Sequence, residues 1–201
     1  MKRARRLRLK RLVSDAELRA FTLGFCTAIE QRTAGRLKGQ IPLGYLQASR
    51  VMALADAEGH LFAGYVIGSQ PPLRLLEFVP PEARAGMALP PGLTWDDCVE
   101  ITCFWRTPDV SPVVMALKVW PRAIRDAVAS GRKLMLGHNQ SERLNELYVA
   151  PRHVTLYAGP SVAGLPSRLV AYETRTLWRQ VAGVMLRETA KRLAKSLFLR
   201  R

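Results

Sequence analysis

The basic side chains of this 201-residue chain are concentrated at its two ends. Residues 1–12 contain seven basic side chains and no acid, and residues 175–201 contain eight, with Glu188 as the one acid. The ends therefore carry +14 of the formal net charge of +15, and the stretch between them is close to neutral. Clustered cations of this kind favour a polyanion as partner, because neutralising phosphates releases condensed counterions.

The charge pattern predicts a nucleic-acid interface at the two ends. Its members are Arg3, Arg5, Arg6, Arg8, Lys191, Arg192 and Lys195. Charge alone does not separate DNA from RNA or from an acidic protein. The alternative is a solvated surface that keeps the protein soluble, in a chain whose 24 arginines against 7 lysines indicate an arginine-biased genome.

Residue types that could act as metal ligands or nucleophiles are few and unfavourably spaced. The chain has three cysteines and three histidines, at Cys26, Cys98, Cys103, His60, His138 and His153. Their spacing matches no zinc motif and no disulfide framework, so we expect no metal site. No Gly-x-Ser-x-Gly motif, Walker loop or Cys–His pair is evident, so hydrolase and NTPase functions lack support from motifs.

Composition places the chain among ordinary globular proteins, with 48% hydrophobic and 23% charged residues. No apolar run approaches the ~20 residues that a membrane span requires, so we expect no transmembrane segment. The basic C-terminal helix could lie on a membrane surface, but its modest apolar face favours a protein without a membrane partner. The basic N-terminus is not followed by an apolar segment, which favours a cytoplasmic protein with reduced thiols. A mitochondrial transit peptide is a weaker alternative, because the first twelve residues contain no serine.

Hydrophobic periodicity predicts a mixed α/β order. The predicted elements of the first half are a basic edge strand within 1–13, a helix from Ser14 to near Gly35, hairpin strands at 51–55 and 61–67, and one strand at 73–79 within a Pro- and Gly-rich surface excursion. The rest follows as a strand at 99–105, a helix from Ser111 to Gly131 kinked at Pro121, a strand at 133–136, a helix at 141–148, strands at 153–157 and 168–172 separated by a turn at Gly159-Pro160, and a basic C-terminal helix over 174–201.

This order predicts one domain, residues 1–173, built on a mixed central sheet flanked by helices, with the helix 174–201 appended. Parallel pairing is expected wherever a helix crosses between two strands.

The element order resembles that of the GNAT superfamily of N-acyltransferases over about residues 5–173. Three segments carry the resemblance: the hairpin Val51–Ile67, the strand Glu100–Trp105 that leads into Ser111-Pro112, and the segment Leu147–Val154 with its leucine–tyrosine pair. The resemblance implies a GNAT-like sheet. It also implies transfer of an acyl group from acyl-CoA or a related donor, held where the fourth strand enters the helix.

The sequence departs from that family at the phosphate-binding loop. The segment 106–112 contains no glycine and carries Asp109 where phosphates would lie. This departure implies an unusual donor, a different mode of donor binding, or an inactive site. Within the superfamily, the segment 99–109 leading directly into a helix resembles the Mom-type acyltransferases of bacteriophages, which also lack the loop and modify adenine in DNA.

The resemblance implies roles for individual residues. Tyr148 stands where the family places the acid that protonates the thiolate leaving group, and a phenol with a pKa of ~10 suits that task; its alternative is packing at a helix end. Glu100 on the fourth strand is the candidate base, or else a carboxylate paired with an arginine. The candidate donor-binding residues are Phe104, Trp105, Arg106, Ser111 and Asn139.

Two further expectations concern neighbours along the chain. Phe104 and Trp105 lie on opposite faces of their strand, so one should belong to the core and the other to the cleft, where it could stack on a nucleobase. His138 and Asn139 directly follow the fifth strand and should lie at the cleft. Asn139 would contact the donor or cap the next helix.

The sequence therefore predicts an N-acyltransferase that modifies a nucleic acid, with a DNA base as the favoured acceptor. Two alternatives remain open: a non-catalytic nucleic-acid-binding module on a degenerate acyltransferase scaffold, and an N-acetyltransferase for proteins or small molecules. The identity of the donor, the base, the recognised DNA sequence and the oligomeric state stay open.

Overall fold

The computed structural model describes residues 6–35, 39–140 and 152–183. Within these ranges no helix combines the length and the apolar character that crossing a membrane requires. The helix predicted at 141–148 and most of the basic C-terminal helix lie outside the described residues, whereas residues 174–183 are helical.

Seven strands and five helices form the described fold, together with two short 3₁₀ helices and the helical segment 174–183. The strands are β1 (Arg8–Leu12), β2 (Arg50–Ala55), β3 (Leu61–Gly68), β4 (Cys98–Arg106), β5 (Leu134–Asn139), β6 (Val154–Pro160) and β7 (Pro166–Glu173). The helices are α1 (Asp15–Arg32), α2 (Leu43–Ala48), α3 (Pro81–Ala85), α4 (Pro112–Val114) and α5 (Trp120–Val128), with a π turn at Met115–Val119 and 3₁₀ helices at Arg74–Phe78 and Trp95–Asp97.

The strands make one sheet in the order β1-β2-β3-β4-β5-β7-β6. Only β4 and β5 pair in parallel, and their connection contains α4 and α5. The prediction of parallel pairing across a helix is therefore confirmed for this pair and wrong for β1 and β2, which pair antiparallel although α1 lies between them. The second helix, α2, turns the chain back before β2 begins.

Helices cover both faces of the sheet, which confirms the predicted fold class. On one face α1 packs against β3 and β4, and α2 and the 3₁₀ helix Arg74–Phe78 continue that layer. On the other face α5 packs against β3 and β4, and Leu177 of the segment 174–183 joins the same apolar cluster. The central strands are consequently buried on both sides; β3, for example, is buried along nearly its whole length.

The start of α1 shows how the local sequence determines structure. Ser14 Oγ accepts the Glu17 backbone N–H, and the Glu17 carboxylate accepts the backbone N–H of Ser14 in return, forming a capping box. Hydrogen bonds from the backbone and from Lys10 lower the pKa of Glu17 to about 2. The predicted start of this helix at Ser14 is therefore confirmed, as is the hairpin of β2 and β3.

Two local predictions are wrong, and the position of a third is shifted along the chain. The predicted strand 73–79 is the 3₁₀ helix Arg74–Phe78. The predicted turn at Gly159-Pro160 lies one step too early, because β6 runs to Pro160 and the chain reverses over 161–165. The irregularity expected at Pro121 is the π turn directly before α5, where proline occupies the first helical turn and needs no N–H partner.

Trp105 belongs to the core beneath α1. Its ring packs edge-on against Phe21, with centroids 5.9 Å apart, and it is 3% exposed. The absence of a side chain at Gly24 makes room for the indole, since a Cβ there would lie 2.5 Å from the ring.

We therefore expect Gly24→Ala to lower the free energy of unfolding by about 1–3 kcal/mol, because overpacking exceeds the gain in helix propensity. Urea denaturation measures this change. Gly44→Ala is the matched control, since a Cβ there meets nothing within 4 Å; it should be neutral or stabilise the protein by up to ~1 kcal/mol. Equal effects of the two substitutions would contradict the packing.

Candidate active site

The sheet opens between β4 and β5. The two strands pair only at Cys98–Leu134, Val99–Met135 and Glu100–Leu136, although β4 continues to Arg106 and β5 to Asn139. Beyond Glu100 the strands diverge, so their facing backbone groups are available to an extended chain lying between them. This opening is the candidate donor site.

A bulge in β4 produces the opening. Thr102 is opposite Val66 and Trp105 is opposite Gly64, so Cys103 and Phe104 together face Tyr65. Cys103 has φ of 49°, a left-handed conformation that a residue with a side chain rarely adopts. A bulge of this kind bends its strand and increases the local twist. The end of β4 is thereby turned away from β5.

The chain enters a helix soon after the open part of β4. Arg106 Nη1 donates to Val110 O at 2.8 Å and to Thr107 O at 3.3 Å, which ties the connecting loop to itself. Ser111 Oγ accepts the Val114 N–H as the N-cap of α4, so the predicted start of a helix at Ser111 is confirmed. Asp109 in this loop is exposed.

Glu100 marks the point where the sheet opens, and its carboxylate is the centre of a buried cluster. Oε1 accepts the Tyr45 hydroxyl at 2.7 Å and the Arg74 N–H at 2.9 Å, and Oε2 accepts the Leu75 N–H at 2.7 Å. The residue is 0% exposed. A Cβ at Gly68 would lie 2.7 Å from both Glu100 Oε1 and the Tyr45 hydroxyl, so β3 closes the cluster from the side.

Burial raises the pKa of Glu100, against the hydrogen bonds from Leu75, Tyr45 and Arg74 that lower it. Burial and the neighbouring Glu100 also raise the pKa of Tyr45 well above its ordinary value, so this phenol remains a donor. The carboxylate joins β4 to α2 and to the 3₁₀ helix, and both of its oxygens are engaged. Its geometry is that of a structural anchor.

Arg74 places a guanidinium beside this cluster with 8% of its surface exposed. Nη2 donates to Gln40 O at 2.5 Å, Nη1 lies 3.4 Å from Glu77 Oε2, and the group stacks over the Tyr45 ring at 5.8 Å. Burial raises the pKa of the neighbouring Cys103 thiol to about 11. At neutral pH that thiol is protonated, and it is a weak nucleophile.

The opposite face of the opening is aromatic. Phe104 is half-buried and packs against Trp120 of α5 at 4.5 Å and against Tyr65 at 6.2 Å between centroids. The Tyr65 hydroxyl donates to Asp126 Oδ2 at 2.8 Å. As expected, Phe104 and Trp105 lie on opposite faces. Trp105 is the core residue and Phe104 is the one nearer the surface.

His138 forms a second polar group at the end of β5. Its Nε2 lies 2.6 Å from Ser167 Oγ on β7, and its ring stacks on Phe78 with centroids 4.7 Å apart. Burial lowers the pKa of His138 to about 4. The imidazole is therefore neutral at pH 7.

A cavity of about 410 Å³ begins where β5 ends. Its walls are the end of β5 and the β6–β7 hairpin, and they include Asn139, Gln140, Gly159, Ser167 and Arg168. Asn139 pairs with Arg168 across the strands and is 7% exposed. The volume lies within the range of small-ligand sites, about 300–1,000 Å³.

The residues predicted for the site are brought together in part. Glu100 lies at the last paired position of β4, and Phe104, Trp105 and Arg106 follow it in the open part of that strand. Ser111 lies in the loop after β4, and Asn139 lies on the facing strand. Tyr148 lies outside the described residues, as do Arg3, Arg5, Lys191, Arg192 and Lys195. The predicted basic residues Arg6 and Arg8 are exposed.

Sequence reasoning missed Tyr45, Arg74 and Ser167. Tyr45 lies between the first predicted helix and the next strand, Arg74 lies in a predicted strand, and no local pattern indicates that they meet Glu100. Ser167 had no signal either, because its partner His138 is 29 residues away. The position of His138 directly after a strand was the one available indication.

The described residues contain one group of three metal-ligand types, Asp56, Glu58 and His60, with ligand atoms within 4.8 Å of one another. They lie on the β2–β3 turn, where Asp56 accepts the His60 N–H at 2.9 Å. These contacts belong to the turn and are remote in sequence from the β4–β5 opening.

His138 gives a prediction for stability. Its pKa of about 4 lies below the ordinary value of ~6.5, so between these pH values the unfolded chain binds a proton that the folded chain does not. Stability from this group is therefore lost as the pH falls from 6.5 towards 4. Urea unfolding at pH 7 and pH 5 should show a larger loss for the wild type than for His138→Gln. The exposed His60→Gln should behave as the wild type, and equal losses in all three would contradict burial of His138.

No protein-family model matches the chain, and no curated protein sequence matches it. Solved structures do match. FeeM, an N-acyl amino acid synthase from uncultured soil microbes, superposes with a TM-score of 0.64 at 14% identity, over 91% of this chain and 99% of its own. The AHL synthase LasI matches with a TM-score of 0.62 at 10% identity, over 85% of this chain and 91% of its own.

A GNAT-superfamily phosphinothricin acetyltransferase (Pat) from Sinorhizobium meliloti, solved in complex with AcCoA, matches with a TM-score of 0.56 at 10% identity, over 83% of this chain and 88% of its own. At these identities the likeness establishes the fold. The seven-stranded sheet with helices on both faces matches the GNAT fold of these neighbours.

Proposed function

We propose that this protein is an N-acyltransferase that binds an acyl thioester in the β4–β5 opening and transfers the acyl group to an amine. The observation that carries the proposal is the divergence of two parallel strands at a bulge, directly before a helix. The fold shared with FeeM and Pat, which are named as an N-acyl amino acid synthase and an acetyltransferase, supports it.

The residues present fit the arm of such a donor. Diverging strand edges offer N–H and C=O groups to an extended, amide-bearing chain, as in β-augmentation. Phe104 and Asn139 would border this arm from β4 and β5, and Arg106 and Ser111 would lie towards its far end. When bound, an acyl thioester supplies an activated carbonyl. The loop after β4 has no glycine and carries Asp109, so the energy of donor binding would come chiefly from the opening.

Tyr148 is the proposed acid for the thiolate leaving group, because a phenol can donate a proton at neutral pH and regain it from solvent.

We expect Tyr148→Phe to lower kcat by ~10²-fold, since general acid catalysis contributes on the order of 10²–10⁴. Release of free thiol from acyl-CoA measures kcat, and the thermal midpoint serves as the control. Equal loss of activity and thermal stability would assign Tyr148 to packing instead.

The proposed acceptor is a nucleic acid, with a DNA base favoured. The basic ends support this acceptor, and the exposed Arg6 and Arg8 are the part of the N-terminal cluster that the structure describes. A base has to leave the duplex stack to reach an enzyme pocket, which costs a few kcal/mol. A small amine such as an amino acid is the second candidate, favoured by the fold shared with FeeM.

Mass spectrometry of nucleosides tests the acceptor. DNA from cells that express the wild type should contain a heavier nucleoside that is absent from cells expressing Tyr148→Phe, and its added mass would identify the acyl group. Purified protein with acetyl-CoA or octanoyl-CoA and the twenty amino acids tests the second candidate. Acylated amino acids without any modified nucleoside would overturn the nucleic-acid acceptor and keep the acyltransferase.

Salt dependence tests the basic ends separately from chemistry. A fourfold variant with Arg3→Gln, Arg5→Gln, Arg6→Gln and Arg8→Gln should bind duplex DNA with a shallower slope of log affinity against log salt. The slope should fall by ~0.9 for each phosphate that is no longer neutralised. Arg19→Gln, at an exposed arginine of α1, is the matched control. An unchanged slope in the fourfold variant would exclude the N-terminal cluster from the interface.

A further inference from the structure

Acyl transfer to an amine requires a group that takes the proton from the attacking nitrogen, and Glu100 is poorly placed for it. Its carboxylate is 0% exposed and accepts three hydrogen bonds from Tyr45, Arg74 and Leu75. A base has to come within hydrogen-bond reach of the proton that it removes, directly or through one water. Both oxygens of the Glu100 carboxylate already accept hydrogen bonds from the protein.

The same face of the sheet carries a second group that can accept a proton. Glu100 is opposite Leu136, and His138 is the next residue of β5 on that face, one step further into the open part of the sheet. Ser167 lies diagonally across from His138 on β7, whose Leu169 is the direct partner of His138. The Nε2–Oγ distance of 2.6 Å indicates a short hydrogen bond.

The surroundings fix the orientation of this pair. Phe78 stacks almost parallel to the imidazole, with an angle of 11° between the rings. Burial is the cause of the lowered pKa of His138, and no charged side chain among the described residues contributes to it. Ser167 is 7% exposed and belongs to the wall of the cavity at the end of β5. The serine therefore borders space for a ligand, and its hydroxyl contacts His138, which does not line that cavity.

We propose that Ser167 and His138 form the proton relay for the acceptor amine, with Ser167 contacting the amine and His138 acting through Ser167. This inference rests on the proposed function and names the acceptor's place as the cavity between β5 and the β6–β7 hairpin. Its volume of about 410 Å³ accommodates a nucleobase or an amino acid.

Atoms and charge balance in this step. The amine nitrogen forms a bond to the acyl carbon, and the carbon–sulfur bond breaks with its electron pair leaving on sulfur. The amine proton passes to Ser167 Oγ as the hydroxyl proton of Ser167 passes to His138 Nε2. The imidazolium later returns its proton to solvent, and the thiolate receives one from Tyr148. The products are an amide and a free thiol.

The relay requires one tautomer of His138, with the proton on Nδ1 and the lone pair of Nε2 facing Ser167. Long-range ¹H–¹⁵N NMR of the full-length protein at pH 7 measures this directly, and His138→Gln assigns the signal among the three imidazoles. The expected result is an unprotonated Nε2. A proton on Nε2 would make His138 the donor to Ser167 and would overturn the relay without reference to activity.

Kinetics test the same pair. Ser167→Ala should lower kcat by ~10²-fold with the KM for the acyl-CoA unchanged, and Ser167→Thr should retain most of the wild-type kcat because it keeps the hydroxyl. His138→Gln should lower kcat similarly, and the double variant should lose little more, since the two residues act as a unit.

The outcomes separate the two proposals. A wild-type protein that acylates neither a nucleic acid nor an amino acid overturns the proposed function, and the relay with it. An active wild type whose kcat survives Ser167→Ala overturns the relay alone. Equal losses in Ser167→Ala and Ser167→Thr would assign the effect to packing and would also overturn it. Thermal midpoints identify any variant that fails to fold.

Discussion

The carboxylate of Glu100 organises the central part of the molecule. It lies at the last position where β4 pairs with β5, inside the protein, and a buried carboxylate without partners would cost several kcal/mol. Three donors from α2 and from the 3₁₀ helix offset that cost. The same bonds hold the chain between β3 and β4 against the sheet, so the layer that covers the opening depends on one side chain.

The opening itself follows from backbone constraints. Parallel strands that stayed paired to their ends would leave no free edge, and the bulge at Cys103 prevents this by adding a residue opposite Tyr65. Core packing retains the strained conformation, since Cys103 is 6% exposed and its neighbour Trp105 fills the space left by Gly24. The opening that forms the candidate donor site is thus a consequence of how β4 packs on α1.

Much of this fold was predictable from local sequence. The helix starts at Ser14 and Ser111 and the hairpin of β2 and β3 are predicted from signals contained within a few residues, and the structure confirms each. The failures have a non-local cause. Residues 73–79 have the pattern of a strand, but the N–H groups of Arg74 and Leu75 donate to Glu100, about 25 residues away, and the segment becomes a 3₁₀ helix. Ser167 and His138 meet only because β7 inserts between β5 and β6.

The Glu100 carboxylate and the Ser167–His138 pair lie on the same face of the sheet and are held by different kinds of contact. Glu100 accepts two backbone N–H groups and the Tyr45 hydroxyl, so its carboxylate joins three separate segments of the chain. The Ser167–His138 pair is held by a ring stack and one hydrogen bond whose direction can reverse, so its proton can move while Phe78 keeps the imidazole in place. The residue that anchors the core, Glu100, is therefore different from the residues of the proposed relay, Ser167 and His138. Leu136, the partner of Glu100, and His138 are successive residues on one face of β5. The same face of the sheet is therefore buried at Glu100 and reaches the border of a cavity at Ser167.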